Sequence, residues 1–403
     1  MSTPAEQVVV TGIGAVSPLG VGARALYEGW RDGSSGVIDG IARCSAFDPA
    51  TVMTAKEVRR SDPFAQMFVA ACDEALADAG WHELPCAADR IACIVGTGGG
   101  GVTTLRREHD LMYARGGGRP SPLGIPSSIG SAAAVAVSIR HGLQGETSAV
   151  NGACAAGAQA VGTGLRLIRT GAVDAAVVGG TDAVIDGYGM PAFRVMGSLS
   201  KRGVARPFDR DRDGFVIGEG AAALVLERRE LCERRAARSR GIVLGYGASS
   251  DAYHLVAPRP DGSAAAIAIR RALEDAGITA AELDYVNAHA TGTPLGDVAE
   301  TLALRRALGA DAGRIPVSSL KGSIGHLLGA SGAVEAIVTL LGLAERIAGP
   351  TLTLEHPDPQ LELRHVAGQA RPLDPGARGI AISNSFGFGG HNAVLVLAAE
   401  GVA

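Results

Sequence analysis

The sequence predicts an α/β protein built from two similar halves that share one core. Short buried strands alternate with amphipathic helices along the chain, and such alternation favours crossover connections and parallel sheets. Residues 243–248 repeat the pattern of residues 10–15, and residues 272–277 repeat that of 75–80. Because no linker-like segment separates the repeats, we expect the halves, residues 1–240 and 241–403, to pack as one unit.

The individual elements follow from local signals. Residues 7–14 are a β-branched run interrupted by glycine, which predicts a short buried strand. Asp62 and Pro63 predict the start of a helix whose apolar stripe ends at Gly80. Residues 91–95 predict a strand, followed by a glycine loop at 96–101. That loop lacks the phosphate-binding patterns, so we expect a close approach of backbone to a substrate or a partner subunit.

Composition excludes several classes of protein. The chain has 403 residues, 47% of them hydrophobic, which is enough for a large core. A net charge of −4 argues against broad nucleic-acid binding, which needs a basic surface. The six cysteines form no CxxC pair, as is typical of reduced cytoplasmic proteins. We find no signal-peptide pattern and no apolar run near the roughly 18 residues of a membrane span, so we expect a cytoplasmic protein without membrane contact.

Cys154 is the first candidate for chemistry. It stands among Gly and Ala residues at the predicted start of a helix that ends near Gly171. Unpaired amides and the helix dipole favour a negative charge there by roughly 0.3–1 kcal/mol, so we expect the thiolate, which is the nucleophilic form. A small buried cysteine in a tight contact between a helix and a strand fits the same residues.

Three polar loops follow strands in the second half. They span residues 287–297, 318–326 and 384–392, and they contain His289, Lys321 and His326. Ligands in open α/β sheets bind outside the carboxyl ends of the strands. We therefore expect these loops to approach Cys154.

Four motifs in this order resemble the elongating type of β-ketoacyl-acyl-carrier-protein synthase: NGAC at 151–154, NAHATGTP at 287–294, KGSIGHLLGASG at 321–332 and NSFGFGG at 384–390. The resemblance covers essentially the whole chain. It implies the thiolase fold, a five-layered αβαβα arrangement of two duplicated βαβαβαββ halves. Richness in Ala and Arg with only three Lys is typical of a high-GC genome, where such enzymes also serve as ketosynthase subunits of bacterial type II polyketide synthases.

The resemblance also implies the site residues. The catalytic set is Cys154, His289, His326, Lys321, Glu335 and Phe388. The positions that contact substrate or its phosphopantetheine arm, or that gate the site, are Thr291, Thr293, Phe386, Gly99 and Asp251. A basic rim for docking an acidic acyl carrier protein consists of Lys56, Arg59, Arg60 and Arg206.

These residue types suit a decarboxylative Claisen condensation. The acyl chain is held as a thioester on Cys154, and the amides of Cys154 and Phe388 form an oxyanion hole. Malonyl-acyl carrier protein loses carbon dioxide, and His289 and His326 donate hydrogen bonds to the resulting enolate. Lys321 adds positive charge and orients His326, while Glu335 balances the lysine. The product is a 3-oxoacyl-acyl carrier protein two carbons longer, in fatty acid or polyketide and polyene synthesis, and we expect no metal or redox cofactor.

Specificity, partners and alternatives complete the prediction. Gly99 replaces a bulky apolar residue of some relatives, which favours a longer or stiffer acyl chain. We expect a homodimer, or a heterodimer with a chain-length-factor subunit that lacks the cysteine. The alternative function is such a non-catalytic partner or scaffold, which the retained Cys154, His289, His326 and Lys321 disfavour. A thiolase needs a second cysteine in the last loop, a priming synthase has Asn in place of the second histidine, and a zinc site needs closer ligand spacing.

Overall fold

The structure, a computed structural model, describes residues 7–114, 119–186 and 188–402. The strands of the first half are β1 (Val8–Ser17), β2 (Gly20–Val21), β3 (Ile91–Gly96), β4 (Thr147–Val150), β5 (Ala175–Asp182) and β6 (Gly220–Arg228). Its helices are α1 (Ala23–Arg31), α2 (Ala55–Arg60), α3 (Pro63–Asp78), α4 (Val102–Ala114), α5 (Gly124–Ser128), α6 (Ala132–His141), α7 (Ala156–Arg169), α8 (Gly189–Met196) and α9 (Arg229–Arg234).

The second half continues the same alternation. Its strands are β7 (Gly241–Ser250), β8 (Tyr285–Asn287), β9 (Pro316–Ser318), β10 (Ile347–Ala348), β11 (Arg364–His365), β12 (Arg371–Pro372), β13 (Ile380–Gly387) and β14 (His391–Ala398). Its helices are α10 (Ser263–Ala276), α11 (Pro294–Leu308), α12 (Lys321–Ile324) and α13 (Ser331–Glu345).

The two halves have the same strand order, and they join edge to edge. The first half runs β1-β6-β5-β3-β4 and the second runs β7-β14-β13-β8-β9. In each half the first three strands are antiparallel neighbours and the last three are parallel neighbours. An antiparallel contact between β1 and β7 joins the halves. The predicted duplication is confirmed, whereas the division into domains at residues 240 and 241, just before β7, stays a prediction.

Helices cover both faces of the sheet and also fill the space between the halves. Alternate residues of a strand face opposite sides, and along β5 Val177 packs with α3 and α6 while Val178 packs with α7 and α13. In the second half α10 and α11 cover the outer face through contacts with Ile382 and Val394. The result is five layers, with α7 and α13 in the middle, which confirms the predicted αβαβα thiolase fold.

Small residues let the two middle helices come close together. A Cβ on Gly157 of α7 would lie 2.7 Å from the carbonyl oxygen of Gly329 and 2.9 Å from the amide nitrogen of Ala333 on α13. Glycine is therefore required at position 157 for this approach. The contact brings the start of the Cys154 helix against the second half of the chain.

One stretch, Leu328–Glu345, is long and apolar enough to cross a membrane by length and composition, with a mean hydropathy of 1.4. The expectation that no apolar run approaches the length of a membrane span is therefore wrong for this stretch. Its larger apolar side chains are separated by glycines and alanines, so the sequence does not show one continuous run of large apolar residues. Within the described residues 89% of the stretch is buried inside the fold. Its apolar surface therefore forms the core around α13.

Candidate active site

Cys154 lies in a tight turn between β4 and α7. The turn, Ala153–Ala155, is a short 3-10 helix that leads directly into α7. Ala153 has a φ of 50°, a left-handed conformation that is costly for a residue with a side chain. The predicted position of Cys154 at the start of the helix is therefore found, with backbone strain stored in the residue beside it.

The sulfur is a thiol rather than the expected thiolate. Burial raises the pKa of Cys154 to about 12, and it outweighs the positive charge of Lys321 and hydrogen bonds from the backbone N–H groups of Phe388 and Cys154, which lower the pKa. The expectation of a thiolate is corrected because desolvation of the sulfur, which sequence does not reveal, exceeds the effect of the helix start. The same two N–H groups are those predicted to form an oxyanion hole.

Both predicted histidines line one small cavity with Cys154, of about 90 Å³, here named the histidine cavity. The rings of His289 and His326 are nearly perpendicular, with centroids 5.3 Å apart. Burial, reinforced by the charge of Lys321, places the pKa of each ring well below its ordinary value, so both are neutral near pH 7. Neutral rings can donate a hydrogen bond to a developing oxyanion, as the predicted chemistry requires.

Lys321 and Glu335 form a buried ion pair beside this cavity. Both side chains are almost fully buried, and Lys321 Nζ donates to Glu335 Oε1. Burial raises the pKa of Glu335, and the charge of Lys321 opposes that shift. The predicted pairing of Glu335 with Lys321 is therefore seen as a direct contact between the two side chains.

Lys321 does not hold His326 by a hydrogen bond within the described residues. His326 Nδ1 pairs instead with Ser331 Oγ at 3.0 Å, at the start of α13. When Ser331 donates to Nδ1, the ring proton lies on Nε2. The prediction that Lys321 orients His326 is therefore corrected, because Ser331 provides the contact and Lys321 acts on the ring through its charge.

Two buried carboxylates, missed in the sequence, shape the His289 loop. Glu300 Oε1 accepts hydrogen bonds from the His289 amide at 2.9 Å and from Asn384 Nδ2 at 3.0 Å. Asp297 accepts from the Gly292 amide at 3.1 Å. In the sequence they are two acidic residues, three positions apart, near the start of a helix. Acidic residues there usually stabilise the helix start, so nothing in the sequence showed that these two hold a loop by accepting its backbone amides.

The predicted substrate contacts also border the histidine cavity. Thr291, Thr293, Phe386 and Asp251 line it together with Cys154. Thr293 Oγ1 lies 3.1 Å from Thr291 Oγ1 and also caps α11. The Asp251 carboxylate accepts a hydrogen bond from Asn392 Nδ2 at 2.7 Å. Asp251 also lies against Gly390, in the second-half loop that carries Phe388. Their roles toward substrate stay predictions.

A second cavity of about 370 Å³ is also lined by Cys154 and is here named the glycine cavity. Its lining is mostly apolar and includes Gly99, Val184, Phe193, Leu328 and Phe388. A Cβ on Gly99 would lie 2.5 Å from Val184 Cγ1. Val184 therefore fills the space beside Gly99 that was expected to be open for the acyl chain. The effect of Gly99 on the length of the acyl chain stays a prediction.

The proposed docking residues fall in two places. Lys56, Arg59 and Arg60 are exposed on α2 and make no ion pair within the described residues. Arg206 is half-buried, contacts Glu355 at 3.4 Å, and has its backbone against Gly292 in the His289 loop. In the described part of the chain no side-chain hydrogen bond or ion pair joins Arg206 to α2.

The described residues include unpaired buried oxygens and one cluster of possible metal ligands. Buried side-chain oxygens without a hydrogen-bond partner among the described residues belong to Thr104, Asn287, Ser323, Glu335, Ser383, Asn384 and Ser385. Asp209, Asp211 and His356 bring two carboxylates and a ring nitrogen together. Asp209 already accepts hydrogen bonds from the backbone amides of Asp211, Glu355 and His356. The expected absence of a metal cofactor stays a prediction.

Comparison with known proteins decides the family. Residues 39–231 match the beta-ketoacyl synthase N-terminal domain, and residues 240–355 match its C-terminal domain. A 3-oxoacyl-[acyl-carrier-protein] synthase 2 of Synechocystis is 40% identical over 97% of both chains. The chain belongs to the β-ketoacyl synthase family. It is accordingly an acyltransferase of the condensing type, which confirms the predicted enzyme class and disfavours the non-catalytic alternative.

Solved ketosynthases share the fold of this β-ketoacyl synthase. The ishigamide ketosynthase/chain length factor superposes with a TM-score of 0.90 at 34% identity, over 98% of this chain and 99% of that one. A type II polyketide ketosynthase, solved with its acyl carrier protein and bound to a hexaketide, superposes with a TM-score of 0.89 at 28% identity, with the same coverage. A 3-oxoacyl-[acyl-carrier-protein] synthase and type II polyketide ketosynthases thus both resemble the chain.

Proposed function

We propose that this β-ketoacyl synthase holds an acyl chain on Cys154 and condenses it with a malonyl unit on acyl carrier protein. The product is a 3-oxoacyl-acyl carrier protein two carbons longer than the starting acyl group. One observation carries the assignment: a buried sulfur with two backbone N–H donors shares a cavity with two neutral imidazoles. Nucleophile, oxyanion donors and enolate donors are then all within one site.

In the first half-reaction the Cys154 sulfur attacks the thioester of an acyl-carrier protein. The new C–S bond forms as the carrier thiol leaves, and the sulfur proton passes to that thiol by way of a neutral imidazole. The amides of Cys154 and Phe388 stabilise the oxyanion of the tetrahedral intermediate, a contribution of roughly 3–4 kcal/mol for each donor. The acyl chain then extends into the glycine cavity, whose apolar lining suits it.

In the second half-reaction the malonyl carboxylate leaves as carbon dioxide. The electron pair of the broken C–C bond becomes an enolate, whose oxygen accepts hydrogen bonds from His289 and His326. The enolate carbon attacks the acyl carbonyl on Cys154, the C–S bond breaks, and the sulfur takes up one proton from solvent. Decarboxylation supplies the electron pair, so the reaction balances without an oxidant, a reductant or a redox cofactor.

The partner subunit is proposed to bind at the β4 end of the sheet. Strand β4 is the last strand there, and no described residues pair with its outer edge. Beside it α5, α6 and the connection between them expose the large apolar side chains of Ile125, Ile129, Val135 and Ile139. Exposed apolar groups of this extent mark interaction surfaces. A second copy or a chain-length-factor subunit, as in the ishigamide complex, fits such a surface.

Acyl carrier protein is proposed to dock on the basic residues Lys56, Arg59, Arg60 and Arg206. The exposed charges on α2 are free of ion pairs within the described residues, and so they can attract an acidic protein. We propose that the enzyme works in the cytoplasm, in fatty acid or polyketide chain elongation. Support for both pathways comes from the two kinds of relative.

The reaction is tested by incubating the purified protein with an acyl-carrier protein and carboxyl-labelled malonyl-carrier protein. We expect release of labelled carbon dioxide together with a carrier-bound product that is two carbons longer. A scaffold protein releases no label above the enzyme-free background, and that result would overturn the proposal. Repeating the assay with a co-expressed partner subunit distinguishes a homodimeric enzyme from one that needs a heterodimer.

A further inference from the structure

Asp182 is a fully buried carboxylate at the end of β5 that no predicted role uses. It accepts four hydrogen bonds: from Thr97 Oγ1 at 2.8 Å, the Gly98 amide at 2.8 Å, the Gly99 amide at 2.9 Å and the Gly329 amide at 2.6 Å. None of these donors is charged, and Asp182 makes no ion pair with the described residues. A buried charge of this kind is costly, so its hydrogen bonds must stabilise an arrangement that other residues do not hold.

The four donors come from two loops that lie far apart in the chain. Gly98 and Gly99 belong to the first-half glycine loop and line the glycine cavity. Gly329 follows Leu328, which lines the same cavity, has a strained φ of 50°, and stands two residues after His326. A Cβ on Gly329 would lie 2.5 Å from the Gly98 amide nitrogen, so the two loops touch directly.

We propose that Asp182 is a positioning residue for the condensation: its carboxylate joins the first-half glycine loop to the second-half loop after His326, and so fixes the wall of the glycine cavity beside Cys154. This inference rests on the proposed function, because it assumes that the acyl chain on Cys154 enters that cavity. A loose wall would let the acyl carbonyl move away from the oxyanion donors and the histidines. A misplacement of about 1 Å is enough to cost roughly 100-fold in rate.

Asp182 also acts on the sulfur through its charge, which gives a second readout. Its negative charge raises the pKa of Cys154, in opposition to Lys321. The titratable and charged groups facing the sulfur and its two cavities are Lys321, Asp182, His289, His326, Asp251, Arg259, Glu300, Asp186 and Tyr188. Removal of the Asp182 charge therefore lowers the pKa of Cys154 and speeds alkylation of the thiol at a given pH.

The test variant is Asp182→Asn, which keeps the shape of the side chain. In this variant an amide NH₂ group replaces one carboxylate oxygen. The NH₂ group cannot accept hydrogen bonds, so the donors that faced that oxygen lose their acceptor. We expect condensation to fall about 10- to 100-fold. We also expect alkylation of Cys154 by iodoacetamide near neutral pH, followed by peptide mass spectrometry, to rise about three- to tenfold.

Two matched variants separate the hydrogen bonds from the charge. Thr97→Val removes one donor and keeps the carboxylate, so we expect condensation to fall about three- to tenfold while the pH profile of Cys154 alkylation stays as in the wild type. Asp174→Asn removes a carboxylate beside the opposite end of β5, where it pairs with Arg90 and Arg228. We expect its condensation rate to stay within about twofold of the wild type.

The inference is overturned if Asp182→Asn condenses as fast as Asp174→Asn, or if it is slower but leaves the alkylation profile unchanged. If Asp182→Asn does not fold, Thr97→Val decides, and a wild-type condensation rate in that variant overturns the inference. Failure of the proposed function has a different signature. In that case the wild-type protein itself forms no 3-oxoacyl product, whatever residue stands at position 182.

Discussion

The two halves of the protein share a scaffold but carry different chemistry at the same places in it. The parallel strands β3, β4 and β5 end at the glycine loop, at Cys154 and at Asp182. The equivalent strands β8, β9 and β13 lead to the loops that carry His289, to Lys321 with His326, and to Phe388. Equivalent strand ends in the two halves thus carry different groups at the site.

The difference shows how a duplicated fold divides the work of a two-step reaction. First-half residues provide the nucleophile, one oxyanion amide and most of the glycine-cavity lining. Second-half loops provide the Phe388 amide, the two imidazoles and Lys321, the one buried cation among the described residues. Ligands gather at the carboxyl ends of parallel strands, and the close contact between α7 and α13 brings both sets of ends to one place. Variants in the two halves should therefore fail at different steps.

The largest effect is expected from Cys154→Ala, which removes the first-half nucleophile. Loss of a covalent nucleophile typically costs about 10⁴-fold or more in rate, so we expect neither acyl-enzyme nor measurable condensation. The measurement is the amount of 3-oxoacyl-carrier protein formed, together with the intact mass of the protein. Cys86→Ser, at a partly exposed cysteine outside both cavities, is the matched control and should keep wild-type activity. Acylation of Cys154→Ala to the wild-type extent would refute the assignment.

His289→Ala should break the second half of the reaction and spare the first. Loss of one enolate donor is expected to slow condensation by about 10²- to 10⁴-fold. Acyl loading of Cys154 should persist, because the nucleophile and its two N–H donors are untouched and the imidazole of His326 remains to relay the proton. Acyl-enzyme should therefore accumulate in the mass spectrum. If acyl loading and condensation fell equally, His289 would serve both half-reactions, and the proposed division of steps between the two halves of the chain would be wrong.

Lys321→Met tests the buried ion pair of the second half. It leaves Glu335 buried without its partner, which typically costs about 3–5 kcal/mol in the free energy of unfolding. Because burial holds the pKa of Glu335 above its unfolded value, the neutral acid is the better tolerated form, and the loss should be smaller in mild acid than in mild base. Urea unfolding at two pH values measures it. The double variant Lys321→Met/Glu335→Leu should recover most of the loss, and an equally unstable double variant would contradict the pairing.

The pH dependence of Cys154 alkylation tests the electrostatics of the first half. With a pKa raised to about 12 by burial, the thiol stays protonated below that value. Alkylation should therefore rise about tenfold for each pH unit through the neutral and mildly alkaline range, without a plateau. A plateau near neutral pH would mean that the thiolate expected from the helix start is present after all.

The smallest effect is expected at the docking residues. Changing Arg59 and Arg60 to Glu should slow acyl transfer from carrier protein by several-fold, because each exposed charge pair contributes only about 0.2–1 kcal/mol. Transfer from a small thioester mimic should be unaffected. Arg234→Glu/Arg238→Glu, with equally exposed charges in and after α9, is the control. Equal slowing with both donors would remove the docking role.

The sequence predicted those parts of the site that are written in local motifs. Cys154, His289, Lys321 and His326 stand in short runs with a distinctive order, and the repeated strand and helix patterns indicated the duplication. The five-layered arrangement was implied by the family resemblance that these motifs carry, and the strand and helix patterns alone indicated only two similar α/β halves.

The remaining features depend on contacts between distant residues. Ser331 stands in the same motif as His326, but only the folded structure shows that their side chains pair, and Val184 occupies the space beside Gly99 from outside any motif. The pKa of Cys154 was predicted in the wrong direction because burial is a property of the whole fold. Asp182 looked like an ordinary residue at the end of a strand, since the four donors that define it come from positions 97–99 and 329.

The central claim is that Cys154 carries the acyl chain while the second-half histidines drive its extension. The most direct measurement is a chase: load the enzyme with an acyl donor, add malonyl-carrier protein, and follow the mass of the peptide that contains Cys154. The account predicts that the acyl mass on this peptide disappears at the rate at which 3-oxoacyl-carrier protein forms. Product formation with Cys154 never acylated, or with its acyl group left in place, would contradict it.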